Sequence, residues 1–308
     1  MFGRVAAATG GRRTRSFRIV VGALLVSIAM TATGCVTNNE GLVPVLPPIE
    51  VQRVDAIADQ LPPAIAASGR LRVGSNPPYA PNEFKDENGT IVGFDVDLLE
   101  AVGAVLGLTL DVKETDFDKI IPAVQAGTLD VGMSSFTDTL EREKSVDFVT
   151  YYSAGVQWVR RAGDDVDPDN ACGLRVGVQT TTIEDIEEVP AKSEACVAAG
   201  KPPIRKIKYD SQDDAANALI LGRVDALSAD SPVTAYAIKR SNGRLVTAGG
   251  IYDASPYGWV IAKGSPLGPV LQQAVQYLID GGQYRAIAEA WGVEAGIIET
   301  SVINGATQ

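Results

Sequence analysis

Residues 116–135 read D-F-D-K-I-I-P-A-V-Q-A-G-T-L-D-V-G-M-S-S, and residues 211–230 read S-Q-D-D-A-A-N-A-L-I-L-G-R-V-D-A-L-S-A-D. The two align without a gap. Each opens on a helix-capping residue (Asp116, Ser211) and runs through a helix to a glycine (Gly127, Gly222). Each then continues into a short apolar strand carrying an aspartate (Asp130, Asp225). The strands deliver a polar residue at their carboxyl ends, Ser135 in the first copy and Asp230 in the second. Open α/β sheets take ligands at the carboxyl ends of their strands, so two such units facing each other would present Ser135 and Asp230 across one cleft. The pattern predicts a duplicated, two-lobed α/β architecture; chance likeness between two generic helix–strand units is the competing explanation.

Outward from the first copy, Ser134-Ser135-Phe136-Thr137-Asp138-Thr139-Leu140-Glu141-Arg142 sets hydroxyl residues ahead of a single arginine. A guanidinium is a planar fork of donors that fits both oxygens of a carboxylate. Hydroxyls and backbone N–H groups clustered before it make a carboxylate cradle. The same residues also spell an ordinary capped helix, with Thr139 as N-cap and Arg142 on the solvated face. Residue chemistry alone favours the plain helix.

The run S-S-F-T-x-T-x-x-R at 134–142, followed by V-D-F at 146–148 and Y-Y at 151–152, resembles the extracellular solute-binding proteins (family 3) of polar amino acid ABC importers. The resemblance extends from Ile57 to Gly305 and implies a two-lobed, periplasmic-binding-protein-like (type II) fold with a ligand cleft between the lobes. It implies that Ser135, Thr137 and Arg142, with Ser134 beside them, hold the α-amino and α-carboxylate groups of a free amino acid. By the same resemblance Tyr79, in the loop Ser75-Asn76-Pro77-Pro78-Tyr79-Ala80-Pro81, lies over the ligand, Asn76 reads its side chain, and Phe117 closes the slot from the other side. Without the resemblance, Tyr79 is equally an ordinary loop aromatic packed on the core. Ala229-Asp230-Ser231-Pro232 matches the family's A-D-S-P, whose aspartate accepts the ligand ammonium; otherwise Asp230 is a surface cap before a helix. Gln179-Thr180-Thr181-Thr182 resembles the family's G-T-T loop at a helix N-terminus, a donor site for the ligand carboxylate. The family glycine is absent here, so either Thr181 or Thr182 fills the role. Gly93-Phe94-Asp95-Val96-Asp97-Leu98 is a further match, with Asp95 read as an N-cap.

The first 34 residues stand apart. Arg4, Arg12, Arg13, Arg15 and Arg18 form a basic region ahead of an apolar stretch at 19–33, too short to span a bilayer comfortably. It ends Ala32-Thr33-Gly34-Cys35, which resembles a bacterial lipobox with alanine in place of the usual leucine. Residues 1–34 therefore read as a signal peptide and 35–53 as a linker anchored through lipid on Cys35. Residues 54–154 with 258–308 would form the first lobe and 155–257 the second, with the chain crossing near Ser153–Val156 and Tyr257–Trp259. Removal of the five leader arginines takes the formal charge from -11 to -16, which argues against nucleic acid and against basic docking on anionic lipid. With Cys35 carrying lipid, Cys172 and Cys196 remain as the one possible pair, and a disulfide is the expected state outside the cytosol; two buried free thiols are the alternative. The chain holds no histidine, which leaves zinc and any Ser-His or Cys-His nucleophilic pair without support. No cofactor is expected.

Three functions fit. The first is a monomeric, exported lipoprotein on the outer face of the cell membrane that captures a free polar amino acid by hinge closure and passes it to an ABC permease. The second is an amino acid sensor signalling through a membrane partner. The third, a dehydratase-like enzyme on the same fold, would need Asp230 or Glu83 as acid or base. No second arginine appears in the matching motifs to neutralise an acidic side chain, so neutral polar or basic ligands are favoured over glutamate or aspartate. The tail after Ile303 is small and polar and reads as frayed.

Overall fold

The computed structural model describes Val43, Pro44 and residues 50–307. The leader, Cys35 and most of the expected linker lie outside the described residues. Pro62-Pro63 divides the first helical stretch into α1 (Asp55–Ala58) and α2 (Pro63–Ser68). A proline bars helical backbone in the residue before it but fits the first turn of a new helix. There follow β1 (Arg70–Ser75), the hairpin strands β2 (Phe84–Lys85) and β3 (Ile91–Val92), α3 (Phe94–Leu106), β4 (Thr109–Glu114), α4 (Phe117–Gln125), β5 (Val131–Gly132), α5 (Leu140–Glu143) and β6 (Val146–Arg161). The second half begins with β7 (Arg175–Gln179), then a π-helical turn (Glu184–Glu188) running into α6 (Val189–Ala198). It continues through β8 (Arg205–Tyr209), α7 (Gln212–Ile220), β9 (Ala226–Asp230) and α8 (Ser231–Arg240). β10 (Leu245–Ala262) returns, and α9 (Leu267–Asp280) and α10 (Gln283–Trp291) close the chain.

The main strands run in the order β4-β1-β5-β10-β6-β9-β7-β8, a two-domain α/β fold. β1 lies parallel between β4 and β5, as β7 lies parallel between β8 and β9, so the sequence duplication is a duplication of topology. It reaches side chains. Arg72 in β1 and Arg175 in β7, each within L-R-V-G, grip Asp130 and Asp225 through two guanidinium nitrogens and reach the carbonyls of Gly127 and Gly222. Those glycines adopt φ of 69° and 71° after α4 and α7, a left-handed turn that costs least for glycine.

β6 and β10 are long because each belongs to both lobes. They pair with one another antiparallel along most of their length, and the distal half of β6, Val156–Arg160, also pairs with β9. The expected crossings near Ser153–Val156 and Tyr257–Trp259 each fall inside one of these strands. The first lobe packs α3, α9 and α10 over the sheet through Leu98, Val102, Trp259, Leu271 and Leu278. In the second lobe the alternation of side chains along β6 sends Trp158 to one core and Val159 to another. Cys172 and Cys196 are disulfide-bonded, with Cα atoms 5.5 Å apart. Closing a loop of that length contributes roughly 3 kcal/mol in the chain-entropy description.

Two expectations fail. Asp95 does not cap α3, because Gly93 holds the N-cap position at φ 146° with no side-chain cap. A Cβ there would lie 2.0 Å from the Asn82 carbonyl oxygen. Glycine lets residues 81–82 run against the helix start, where the Pro81 and Asn82 carbonyls accept from the N–H groups of Phe94 and Asp95; the Asp95 carboxylate is thereby turned into the interior. The tail after Ile303 is not frayed either. Asn304 N–H donates to the Phe148 carbonyl at 3.0 Å, and its side chain bonds Phe148 N–H and Asp147. Short polar side chains here complete a strand edge, because they supply the hydrogen bonds that exposed backbone requires.

Candidate ligand-binding site

Strand ends build the site. Asn76 follows β1, Ser134 and Ser135 follow β5, Gln179 ends β7 and Asp230 ends β9. Together with Tyr79, Phe117, Thr137, Arg142, Thr182 and Ile183 they line one cavity. Nine of the ten expected residues stand on its wall; Thr181 is the exception. Gln179 and Ile183 escaped the sequence reading. Gln179 is legible in the sequence only as the first residue of the Gln179-Thr180-Thr181-Thr182 loop; in the structure it ends β7. Thr181 sits in the left-handed region (φ 62°) and its carbonyl, not its hydroxyl, faces Arg142.

The plain-helix reading of 134–142 holds for the cap but not for the arginine, which leaves the solvated face. Thr139 Oγ1 accepts from Arg142 N–H at 3.2 Å and caps α5, yet the guanidinium turns inward. Its Nη1 donates to the Thr137 carbonyl (2.7 Å) and its Nη2 to the Thr181 carbonyl (3.0 Å). Its carbon lies 5.6 Å from the centre of the Phe136 ring and 6.0 Å from that of Phe117, and those two rings stack at 4.3 Å. Aromatic faces stabilise a guanidinium where water has been excluded. Burial lowers its pKa, and the charges of Asp230 and Glu184 oppose that shift; a guanidinium is basic enough to stay cationic.

Side-chain hydrogen bonds cross the cavity from one lobe to the other. The Tyr79 hydroxyl donates to Asp230 Oδ2 at 2.6 Å, Gln179 Nε2 donates to Asn76 Oδ1 at 2.8 Å, and Arg142 reaches Thr181. Burial raises the Asp230 pKa, while the Tyr79 and Tyr257 hydroxyls and the Arg142 charge pull it back. One buried cation and one buried anion thus face the same cavity from opposite lobes, complementary in sign to the two charged ends of a free amino acid.

The sequence from Leu71 to Glu294 matches the model of the bacterial extracellular solute-binding proteins, family 3. The chain belongs to that family. This solute-binding protein is 44% identical over 287 residues to the arginine-binding protein ArgT of Corynebacterium glutamicum, covering 91% of this chain and 93% of the relative. Among solved structures it is similar to an ancestral arginine-binding protein bound to arginine (35% identity, TM-score 0.67, 72% of this chain and 98% of that one). It is also similar to an ancestral arginine-binding protein bound to glutamine (34%, TM-score 0.66, 73% and 99%). The fold is therefore of the periplasmic-binding-protein kind. The protein is a substrate-binding component for a polar amino acid, not an enzyme, with a cognate ABC permease as partner and a place outside the cytoplasm.

Behind the cavity wall of this solute-binding protein lies a layer of acid that sequence reading missed. Ser134 Oγ donates to Glu83 Oε1 at 2.7 Å. Ser135, at φ 51°, sets its Oγ 3.3 Å from Glu83 and 3.1 Å from Asp95, and its N–H also donates to Asp95. The Tyr151 hydroxyl adds a 2.6 Å bond to Asp95, and Asn82 Nδ2 donates to Ser135 Oγ. Burial drives the Glu83 pKa well up, with the charge of Asp95 adding to it, and raises Asp95 to about 7. In the other lobe burial and the charge of Asp230 raise Glu184 to about 8, and its Oε1 has no hydrogen-bond partner among the described residues. In the sequence Glu83 stands out only as an acid or base for the enzyme reading, and Asp95 only as a cap.

Proposed function

We propose that the protein captures a free cationic L-amino acid, arginine foremost, in this cavity and passes it to an ABC permease. The observation that carries the reading is the charge balance: among the described residues in and directly behind the cavity wall, Arg142 is the one cation against Asp230, Glu83, Asp95 and Glu184, all four less than one-tenth exposed. A zwitterion satisfies Arg142 and Asp230 and leaves the remaining acid, which a second positive group on the ligand side chain would offset. In this reading the guanidinium of Arg142, with Thr182, takes the carboxylate, and Asp230, with Ser135 and Thr137, takes the ammonium. The rings of Tyr79 and Phe117 flank the aliphatic chain, while Asn76, Ser134 and Gln179 meet its polar end. The names of the related arginine-binding proteins support the same class.

A thermal-shift screen of the twenty amino acids and ornithine tests this. Arginine at a hundred times its dissociation constant is expected to add about 2.7 kcal/mol to stability, a rise of about 5 °C or more in Tm. Glutamate and aspartate are expected to leave Tm unchanged, and an acidic ligand outranking arginine would refute the assignment.

The lobes, residues 54–154 with 258–308 and residues 155–257, close by rotation about the crossing strands. Irregular register in β10 between Ala248 and Tyr252, between Tyr252 and Ser255 and between Tyr257 and Gly258 supports a bend there. The protein works as a monomer held on the outer face of the membrane by lipid on Cys35, since two or more acyl chains anchor where one is marginal. Cys35→Ala is expected to move the protein from the membrane fraction to the soluble one; unchanged membrane association would count against the anchor.

A further inference from the structure

We infer that residues 304–306, a strap outside the cavity, position Arg142 for the ligand carboxylate; the inference rests on the reading of the cavity proposed above. The strap is laid down along β6. Thr150 N–H donates to the Val302 carbonyl at 2.9 Å, Val302 N–H donates to Thr150 Oγ1 at 2.8 Å, and Ile303 pairs with Val149. Asn304, in the left-handed region at φ 58°, bonds both backbone groups of Phe148 and donates through Nδ2 to Asp147 at 2.8 Å. That register brings the next two N–H groups onto the segment that carries Arg142. Gly305 N–H donates to Asp138 Oδ2 at 2.7 Å, and Ala306 N–H donates to Glu143 Oε1 at 3.2 Å.

Those two acids bracket the cavity arginine. Asp138 lies between Thr137, whose carbonyl holds Arg142 Nη1, and Thr139, whose hydroxyl oxygen caps Arg142 N–H. Glu143 follows Arg142 directly. Asp138 is itself 1% exposed, and its N–H is tied to the Pro256 carbonyl at 2.8 Å. α5 has four residues, and a single helical turn does not hold its own geometry in water. Its orientation therefore depends on bonds from outside, and the strap supplies one at each end. None of residues 304–306 lines the cavity, so their effect on ligand is exerted through Asp138 and Glu143.

The test removes residues 304–308 and measures arginine affinity in the full-length and Arg142→Ala backgrounds, with Tm recorded for every variant. Truncation is expected to weaken binding about tenfold, the equivalent of one misplaced charged hydrogen bond. The further loss in the Arg142→Ala background should be close to none, because coupled residues are non-additive. Asp138→Ala should reproduce the truncation, whereas Asp138→Asn keeps an oxygen for Gly305 N–H and should bind within about twofold of the parent. A truncation that lowers Tm but leaves affinity intact, or one that costs the same in both backgrounds, overturns the inference while the cavity reading stands. Normal binding by Arg142→Ala alone overturns both.

Discussion

Arg142→Ala and Asp230→Ala are each expected to weaken amino acid binding by roughly 2–5 kcal/mol, the range for truncating one side of a buried charge pair. The physical reason is asymmetry. A charged hydrogen bond contributes about 1.5–3 kcal/mol, but losing one partner also leaves the ligand charge buried and unpaired. Arg142→Lys should also bind poorly, since an ammonium cannot reproduce the bidentate fork and loses the stacking on Phe117 and Phe136. Tyr79→Ala should cost less, because it removes contact area and one hydrogen bond to Asp230 but keeps both charged partners. Arginine with a blocked α-amine or an amidated carboxylate should fail against the unaltered protein. Calorimetry on variants shown to be folded reads all of these; near-parental affinity in both alanine variants would place the ligand elsewhere.

Arginine binding is also expected to tighten as pH rises from about 5 to about 8, with protons released on binding. Burial holds Glu83 and Asp230 above their ordinary values, Asp95 at about 7 and Glu184 at about 8. A cation arriving beside them favours their ionised forms. Each proton displaced changes affinity up to about tenfold per pH unit, so one proton displaced across the whole window amounts to at most about a thousandfold. Stability of the protein alone runs the other way. These carboxyls titrate higher folded than unfolded, so the folded state holds extra protons between about pH 4.5 and 8, and the stability they contribute falls as pH rises through that window. Asp225 behaves oppositely: the hydrogen bond from Arg175 holds it low, and its contribution is present above about pH 4 and lost below it. Titration calorimetry in buffers of different ionisation heat counts the protons. Binding that is flat from pH 5 to 8 with no proton exchange would show that the buried acids do not sense the ligand.

Much of the fold was legible because its signals are local. The helix, glycine and apolar strand recur at 116–135 and 211–230, although Ser211 caps its helix through its side chain and Asp116 does not, and each unit needs only neighbouring residues to form. Ser135 and Asp230 were legible as a pair because the duplication places both at strand ends, where an open sheet binds, whereas Arg142, in α5, stood out only through its resemblance to the family motif. Cys172 and Cys196 were legible by counting. The length of β6 and β10 was not, since each crosses from one lobe to the other and its halves take different neighbours. Nor was it legible that Thr182 lines the cavity and Thr181, left-handed in backbone, does not.

The sequence by itself determined the two-lobed architecture, the identity of the charged residues facing the cleft and the disulfide partners. Tertiary structure alone decided what Glu83, Asp95, Glu184, Gln179 and the C-terminal residues do. Asp95 meets Ser135 from 40 residues away, and Gly305 meets Asp138 from 167. A carboxylate in water and one sealed behind a cavity wall are the same letter in a sequence. Which of them keeps a proton, or orients an arginine, is set by the dielectric and the donors that distant segments bring to it.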